Sequence, residues 1–418
     1  MLNGNLRIAS VPLAAALLLA FACGAPTPPP SESIDPVLQS AVEAGKVRGV
    51  VVAAASRDGV LYEGAFGAKD AAAGEPMAAD TIFRIASMTK AVTSVAVMQL
   101  VEQGRLKLDD SARDHLPELG DPQVLEGFGD DGTPKLRAAA RPPTIRELLS
   151  HTSGYAYHVW DASMNRYQEQ VELPAGRERY FKLPLIFDPG TRWQYGPGPE
   201  VTGIIVETLS GLTLEEYFQR NIFEPLGISD TFFQVPAGKW SRFARTYRRE
   251  ADGAVSENAR PKPEAPPEVT FFSGGGGLYS TAPDYIRFMR ALLNGGELDG
   301  ARILKPETVE LMAQNHIGEH EAGNLTSVLP DSSEDFALFP ESVDHFGLGF
   351  FINSEALPGG RASGSLAWAG FRNTYFWIDP ERDVCGVLLT QLHPFADTTT
   401  LELLTDYERA VYSAFRSN

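Results

Sequence analysis

Thr81-Ile82-Phe83-Arg84-Ile85-Ala86-Ser87-Met88-Thr89-Lys90, continued by Ala91-Val92-Thr93-Ser94-Val95-Ala96-Val97-Met98-Gln99-Leu100, is the stretch on which the reading of this chain turns. Its second half is apolar on every side and predicts a buried helix starting near Ser87. On a helix, a spacing of three puts Ser87 and Lys90 on one face. A serine at a helix start keeps its own N–H free, and the helix dipole there favours developing negative charge. A lysine one turn on, once desolvated, can lose its proton and accept the one from the hydroxyl. By itself the pair is a weak signal, because a helix cap followed by a solvated lysine has the same spelling.

Outward from this stretch, the two ends of the chain carry the strands. Ile34 to Ala44 has helical spacing and stops at Gly45. Val50 to Ser56 and Val60 to Phe66 flank Arg57-Asp58-Gly59, which predicts a hairpin. Thr374 to Ile378 and Val384 to Leu389 flank Asp379-Pro380-Glu381-Arg382-Asp383 and predict a second. Leu401 to Phe415 is an amphipathic helix by pattern, and the middle is mostly helical stretches and loops. The expected fold class is α+β: one antiparallel sheet built from both termini and flanked by helices, with a mainly helical region inserted. The α/β part is placed at about 34–90 and 340–415, and the helical region at about 91–330. Stretches 120–143, 250–270 and 320–342, rich in Gly, Pro and acid, are expected as long loops, either solvated or walling a cleft.

The serine and lysine have company in a particular order. Thr144-Ile145-Arg146-Glu147-Leu148-Leu149-Ser150-His151-Thr152-Ser153-Gly154 is followed by Phe187-Asp188-Pro189-Gly190-Thr191-Arg192-Trp193-Gln194-Tyr195-Gly196-Pro197-Gly198, then by Ser273-Gly274-Gly275-Gly276-Gly277-Leu278 and Trp368-Ala369-Gly370-Phe371. Together, from about residue 35 to 415, these resemble the β-lactamase-like serine hydrolases, the superfamily of class C β-lactamases, D-Ala-D-Ala carboxypeptidases and related esterases. Ser87 and Lys90 match its Ser-x-x-Lys, Tyr195 its Tyr-x-Asn tyrosine, and Trp368-Ala369-Gly370 its Lys-Thr-Gly triad. The expected fold is therefore β-lactamase/transpeptidase-like.

Two motifs depart from the lactamase pattern. Pro197 stands in place of the asparagine, removing a side-chain amide. Trp368 stands in place of the lysine, removing the cation that would pair with a substrate carboxylate. In both respects the chain looks like the branch called family VIII carboxylesterases, which carries a Trp-Gly-Gly-like triad, and fungal statin-side-chain acyltransferases are similar. The resemblance implies two-step acyl transfer: Ser87 attacks an ester carbonyl, Lys90 and Tyr195 share the proton, and water releases the acyl group. It also implies an oxyanion hole from the backbone N–H groups of Ser87 and Phe371, with Trp368 and Gly370 at the substrate. The alternatives are a β-lactamase or D-amino-acid peptidase, an acyltransferase, and a non-hydrolytic penicillin-binding-like protein. No Gly-x-Ser-x-Gly elbow occurs in the chain, which disfavours an α/β-hydrolase.

Other residues read more plainly. His151 is expected as a structural member of its motif, and Cys385, in Val384-Cys385-Gly386-Val387, as strand core. His316 and His320, with Glu319 and Glu321, have a helical metal spacing but sit among Gly and acid with no third ligand, so a solvated loop is expected. The glycines at 274–277 lack a following Gly-Lys-Ser/Thr and predict a tight turn near the cleft instead of a phosphate loop. No metal or cofactor is expected.

Composition sets the bounds. Of 418 residues 43% are hydrophobic and 22% charged, which fits a globular chain with ample core. Against 54 acidic residues stand 36 basic ones, a net charge of −18, which repels nucleic acid. Two cysteines exclude a disulfide framework. Residues 1–22, with Arg7 and the apolar run Val11 to Ala22, are expected to be an export signal too short to span a bilayer. Leu19-Ala20-Phe21-Ala22-Cys23-Gly24 resembles the bacterial lipoprotein box, Ala20 standing where Leu is commoner. Cys23 is thus the expected lipidation site and 23–33 a Pro-rich tether, leaving one domain at 34–415. The expected setting is the periplasm or cell surface, with the lipid as the only membrane contact, or secretion if the cysteine is incidental. The expected partner is a small ester or other acyl substrate.

Overall fold

Ile34, Leu38 and Ala41 recur at helical spacing, and the helix they bury, α1, spans Pro30–Glu43 in the computed structural model, which describes residues 30–257 and 263–415 together with Met1. The expected signal and Cys23 lie outside the described residues. Helix α1 begins inside the stretch read as a tether, since proline is tolerated in a first helical turn. Gly45 follows with a left-handed φ of 69° and ends the helix.

The first hairpin joins β1 (Gly49–Ala55) to β2 (Val60–Asp70), and β3 (Glu75–Pro76) pairs with the far end of β2. Helix α2 (Thr89–Glu102) follows, buried at every position from Thr89 to Leu100, as its apolar surface requires. The stretch 120–143 is not a plain loop: β4 (Gln123–Phe128) and β5 (Pro134–Ala138) form a hairpin within it. Buried Val124 and Leu125 hold it down, while the Asp131-Gly132 turn and polar outer face gave it the composition of a loop. Helix α3 (Ile145–Leu149) opens on a reciprocal cap between Thr144 and Glu147. Helices α4 (Gly198–Ser210) and α5 (Ala282–Leu293) complete the helical middle that matters here.

The chain then returns to the sheet through β6 (His345–Phe346), β7 (Phe351–Ile352), β8 (Leu366–Gly370), β9 (Thr374–Asp379) and β10 (Val384–Leu389), before α6 (Thr398–Ala414). Strand order is β6-β7-β8-β9-β10-β1-β2-β3, antiparallel throughout. The two termini meet at β10 and β1, with Val51 opposite Leu389 and Ala55 opposite Cys385. Every residue of β1, β8, β9 and β10 is buried, so helices cover both faces: α1 packs on α6, and α5 on β1 and β10. The hairpin turns are tied together, Arg57 donating from backbone and guanidinium to Asp383. This is the β-lactamase/transpeptidase fold expected from the sequence.

Candidate active site

Ser87 lies on a single 3₁₀ turn, Ala86–Met88, that leads into α2. Ala86 has a φ of 46°, a left-handed conformation that costs an alanine roughly 1–2 kcal/mol. The surroundings enforce it: Thr89 Oγ1 donates to Ala86 O at 2.6 Å and accepts from Leu278 N–H at 3.1 Å. The result is a sharp corner that leaves Ser87 partly exposed while Lys90, one turn on, is 1% exposed.

Lys90 Nζ stands 3.2 Å from Ser87 Oγ, 3.1 Å from Tyr157 Oη and 2.6 Å from Gly275 O. The carbonyl can only accept, so it takes one N–H. A neutral amine has two N–H groups and one lone pair. In that state either Ser87 or Tyr157 must donate its hydroxyl proton toward nitrogen, an arrangement ready for proton transfer from the serine.

Tyr195, buried at 2% exposure, turns its ring face to the same ammonium, 4.8 Å from ring centre to Nζ. Its hydroxyl accepts from Trp368 Nε1 at 3.1 Å. Within hydrogen-bonding distance of Lys90, the tyrosine hydroxyl is that of Tyr157, which the sequence reading passed over. Burial, reinforced by the Glu200 carboxylate, pushes the Tyr157 hydroxyl well above the usual tyrosine range. Only the place of Tyr157 after the His-Thr-Ser-Gly motif hinted at it; nothing in its spacing links it to Ser87.

His151 is buried and stands edge-on to the Tyr195 ring at 4.8 Å, its Nδ1 accepting a long 3.4 Å bond from Gly196 N–H. Burial and the nearby Lys90 charge hold it well below the usual histidine range, so it is neutral and wedges Tyr195 in place. Trp368 on β8 is 2% exposed and packs on Tyr195, Phe346 and Phe336. Gly370 ends the same strand. A Cβ there would come within 2.2 Å of Ile85 O and of Thr374 Oγ1. Its bareness lets β8 press against the backbone just before Ser87.

Those two cavities flank Ser87. The inner one is about 10 Å³, walled by Trp160, Tyr195, Trp368, Phe371 and Phe395. The outer one is about 290 Å³ and open, reached past Arg84, Tyr157, Phe371 and Arg372, with Glu200 and Gly275 in its wall. The Ser273–Gly277 turn thus borders the cleft, as its glycines suggested.

The remaining candidates lie elsewhere. His316 engages Arg146 and Leu311 O, and His320 bonds Gly190 O, so the pair does not converge on a common point. Among the described residues no group of three or more His, Cys, Asp or Glu side chains is gathered for a metal. Cys385 is sealed in β10, where burial pushes its thiol up to about 12.

A protein-family model described as Beta-lactamase matches residues 34–406. The chain belongs to the β-lactamase family. It is an enzyme of the β-lactamase-related serine hydrolases. Lovastatin esterase from Penicillium rubens is 34% identical over 370 residues, covering 85% of this chain and 91% of the fungal protein. Monacolin J acid methylbutanoyltransferase from Aspergillus terreus is 32% identical over 401 residues, covering 92% and 96%. Among solved structures, unliganded simvastatin synthase from Aspergillus terreus superposes with a TM-score of 0.82 at 30% identity, covering 93% of this chain and 99% of that one. A hydrolase with promiscuous acyltransferase activity, EstCE1, superposes with a TM-score of 0.72 at 25% identity, covering 92% and 98%. Relatives on this family fold thus include an enzyme named for hydrolysis and one named for acyl transfer.

Proposed function

We propose that the enzyme cleaves small, uncharged carboxylic esters through an acyl-enzyme on Ser87. The observation that carries the reading is a partly exposed serine hydroxyl 3.2 Å from the nitrogen of a lysine sealed from water, at the junction of two cavities. Ser87 Oγ adds to the ester carbonyl as its proton passes to the Lys90–tyrosine unit. The alcohol leaves with a proton from that unit, and water then attacks the acyl-enzyme by the reverse relay, restoring Ser87 and releasing the acid. Lys90 and Tyr195 form the proposed acid/base pair, although in the resting enzyme the tyrosine hydroxyl bonded to Lys90 is that of Tyr157 and Tyr195 meets the nitrogen with its ring face. The backbone N–H groups of Ser87 and Phe371 receive the oxyanion; losing one such donor costs about 3 kcal/mol in the barrier.

The cavities support a division of the substrate. The inner one holds no more than about one water-sized group, so between its aromatic walls it takes only the end of a short neutral acyl chain. The outer one is roomy enough for the alcohol, and for an acceptor alcohol in place of water, which favours acyl transfer as the second reading. Export through residues 1–22 with lipidation at Cys23 stays part of the proposal on sequence grounds.

The test is fluorophosphonate labelling with peptide mapping, beside p-nitrophenyl butyrate hydrolysis. The adduct is expected on Ser87, and Ser87→Ala and Lys90→Ala should each abolish turnover, the double variant being little worse. Full turnover in Ser87→Ala removes the nucleophile assignment. Faster p-nitrophenol release on adding a primary alcohol would support transfer.

A further inference from the structure

Glu200 occupies the first turn of α4, five residues beyond Tyr195, and is 4% exposed. An acid in that turn is an ordinary complement to a helix dipole, yet this one points inward. Its Oε1 accepts from Ser273 Oγ at 2.7 Å, and the buried carboxylate also engages the Tyr180 hydroxyl. The carboxylate also presses on the backbone of the glycine turn: a Cβ at residue 275 would come within 2.6 Å of Oε1. Only glycine leaves room there, and it is Gly275 O that takes the N–H of Lys90. One carboxylate therefore braces the turn that holds the lysine and lines the cavity in which the serine stands.

Resting on the reading of Ser87 and Lys90 given above, we infer that Glu200 is the counter-ion of the Lys90–tyrosine unit. It positions the lysine through the 273–276 turn and sets the pH at which the unit gives up its proton.

The electrostatic surroundings agree. Burial drives the Glu200 carboxyl upward, and the positive charge of Lys90 opposes that most strongly, followed by Ser273. The other groups that face this carboxylate are Tyr157 and Tyr180, both pushed upward by burial and by Glu200. Neutral His151 lies near Lys90, and Arg84 and Arg372 line the outer cavity. Whether lysine or tyrosine releases the proton, removing a neighbouring negative charge makes the release easier. The direction of the effect is thus independent of which one is the base.

Glu200→Gln keeps the shape and the oxygen that accepts from Ser273, and drops the charge. The acid limb of kcat/KM should move to lower pH by roughly one unit. Glu200→Asp, which retains charge, should leave the limb near that of the parent even where the rate falls. Ser273→Ala keeps Glu200 but strips the hydroxyl that supports its charge, and should move the limb the same way by less, which preserves the test if Glu200→Gln does not fold. The readout is the pH dependence of Ser87 labelling by a fluorophosphonate, taken alongside p-nitrophenyl butyrate turnover. Labelling with an unshifted acid limb in both Glu200→Gln and Ser273→Ala overturns the counter-ion role and leaves the esterase reading standing. A parent enzyme that is not labelled at all overturns both.

Discussion

Replacing Trp368 by phenylalanine tests the point at which this chain departs most from lactamases. The substitution keeps an aromatic ring against Tyr195, Phe346 and Phe336 but removes the Nε1–H that Tyr195 Oη accepts at 3.1 Å. The bond is already made in the resting enzyme, so as a neutral bond of about 1 kcal/mol it is lost equally from free enzyme and transition state, and kcat/KM hardly changes. If Tyr195 oxygen carries negative charge in the transition state, the bond strengthens there to about 1.5–3 kcal/mol, and the difference of about 0.5–2 kcal/mol lowers kcat/KM roughly 2- to 30-fold. The size of the loss therefore reads the protonation state of Tyr195. The assay is kcat/KM for p-nitrophenyl butyrate across pH, well below the thermal midpoint of the variant, since the smaller ring also loosens packing. An unchanged kcat/KM in a folded Trp368→Phe enzyme refutes a negatively charged Tyr195 oxygen in the transition state.

Three further outcomes are expected. Wild type should prefer short neutral esters over benzylpenicillin by a wide margin in kcat/KM. Trp368→Lys should narrow that gap by lowering ester turnover, and equal wild-type efficiency on the two substrates would refute the esterase assignment. His393 is held at about 3, first by burial and then by Arg372, against an ordinary value of 6.5. Between those values the unfolded chain binds more protons than the folded one, so stability falls as pH drops. Denaturant melts should lose about 3 kcal/mol from this group between about pH 7 and about pH 4, and His393→Gln should lose less by that amount. Cys23→Ser should leave the protein unprocessed or released from membranes of a bacterial host with catalysis intact, and unchanged detergent partitioning would count against lipidation.

The sheet was legible because both hairpins are runs of apolar β-formers around turn residues, and burial on two faces lets such runs stand unbroken from Gly49 to Ala55 and from Val384 to Leu389. The hairpin at 123–138 was not, because its outer face is solvated and its turn is acid and glycine, which spells a loop. Ser87 and Lys90 were legible for a local reason, one turn of helix. Tyr157 and Glu200 were missed for the opposite one: Tyr157 reaches Lys90 from 67 positions away, and Glu200 meets the turn at 273–275 that holds the lysine. The signal for Glu200 was an acid within an otherwise apolar first turn, Gly198-Pro199-Glu200-Val201, which dipole arguments explain too readily. Gly370 was legible as a close approach, and one backbone it meets is that of Ile85.

The sheet whose central strands come from opposite ends of the chain has a consequence for synthesis. Ser87 leaves the ribosome early, yet Thr374 Oγ1, which meets the carbonyl of Ile85, belongs to a strand 289 positions later, and β10 must still arrive to cover the edge of β1. Until then the first hairpin has no inner neighbour, and the cavity walls supplied by Trp368 and Phe371 do not exist. A partly made chain thus displays Ser87 without the enclosure around it, and the proposed chemistry waits on strands made long after the serine.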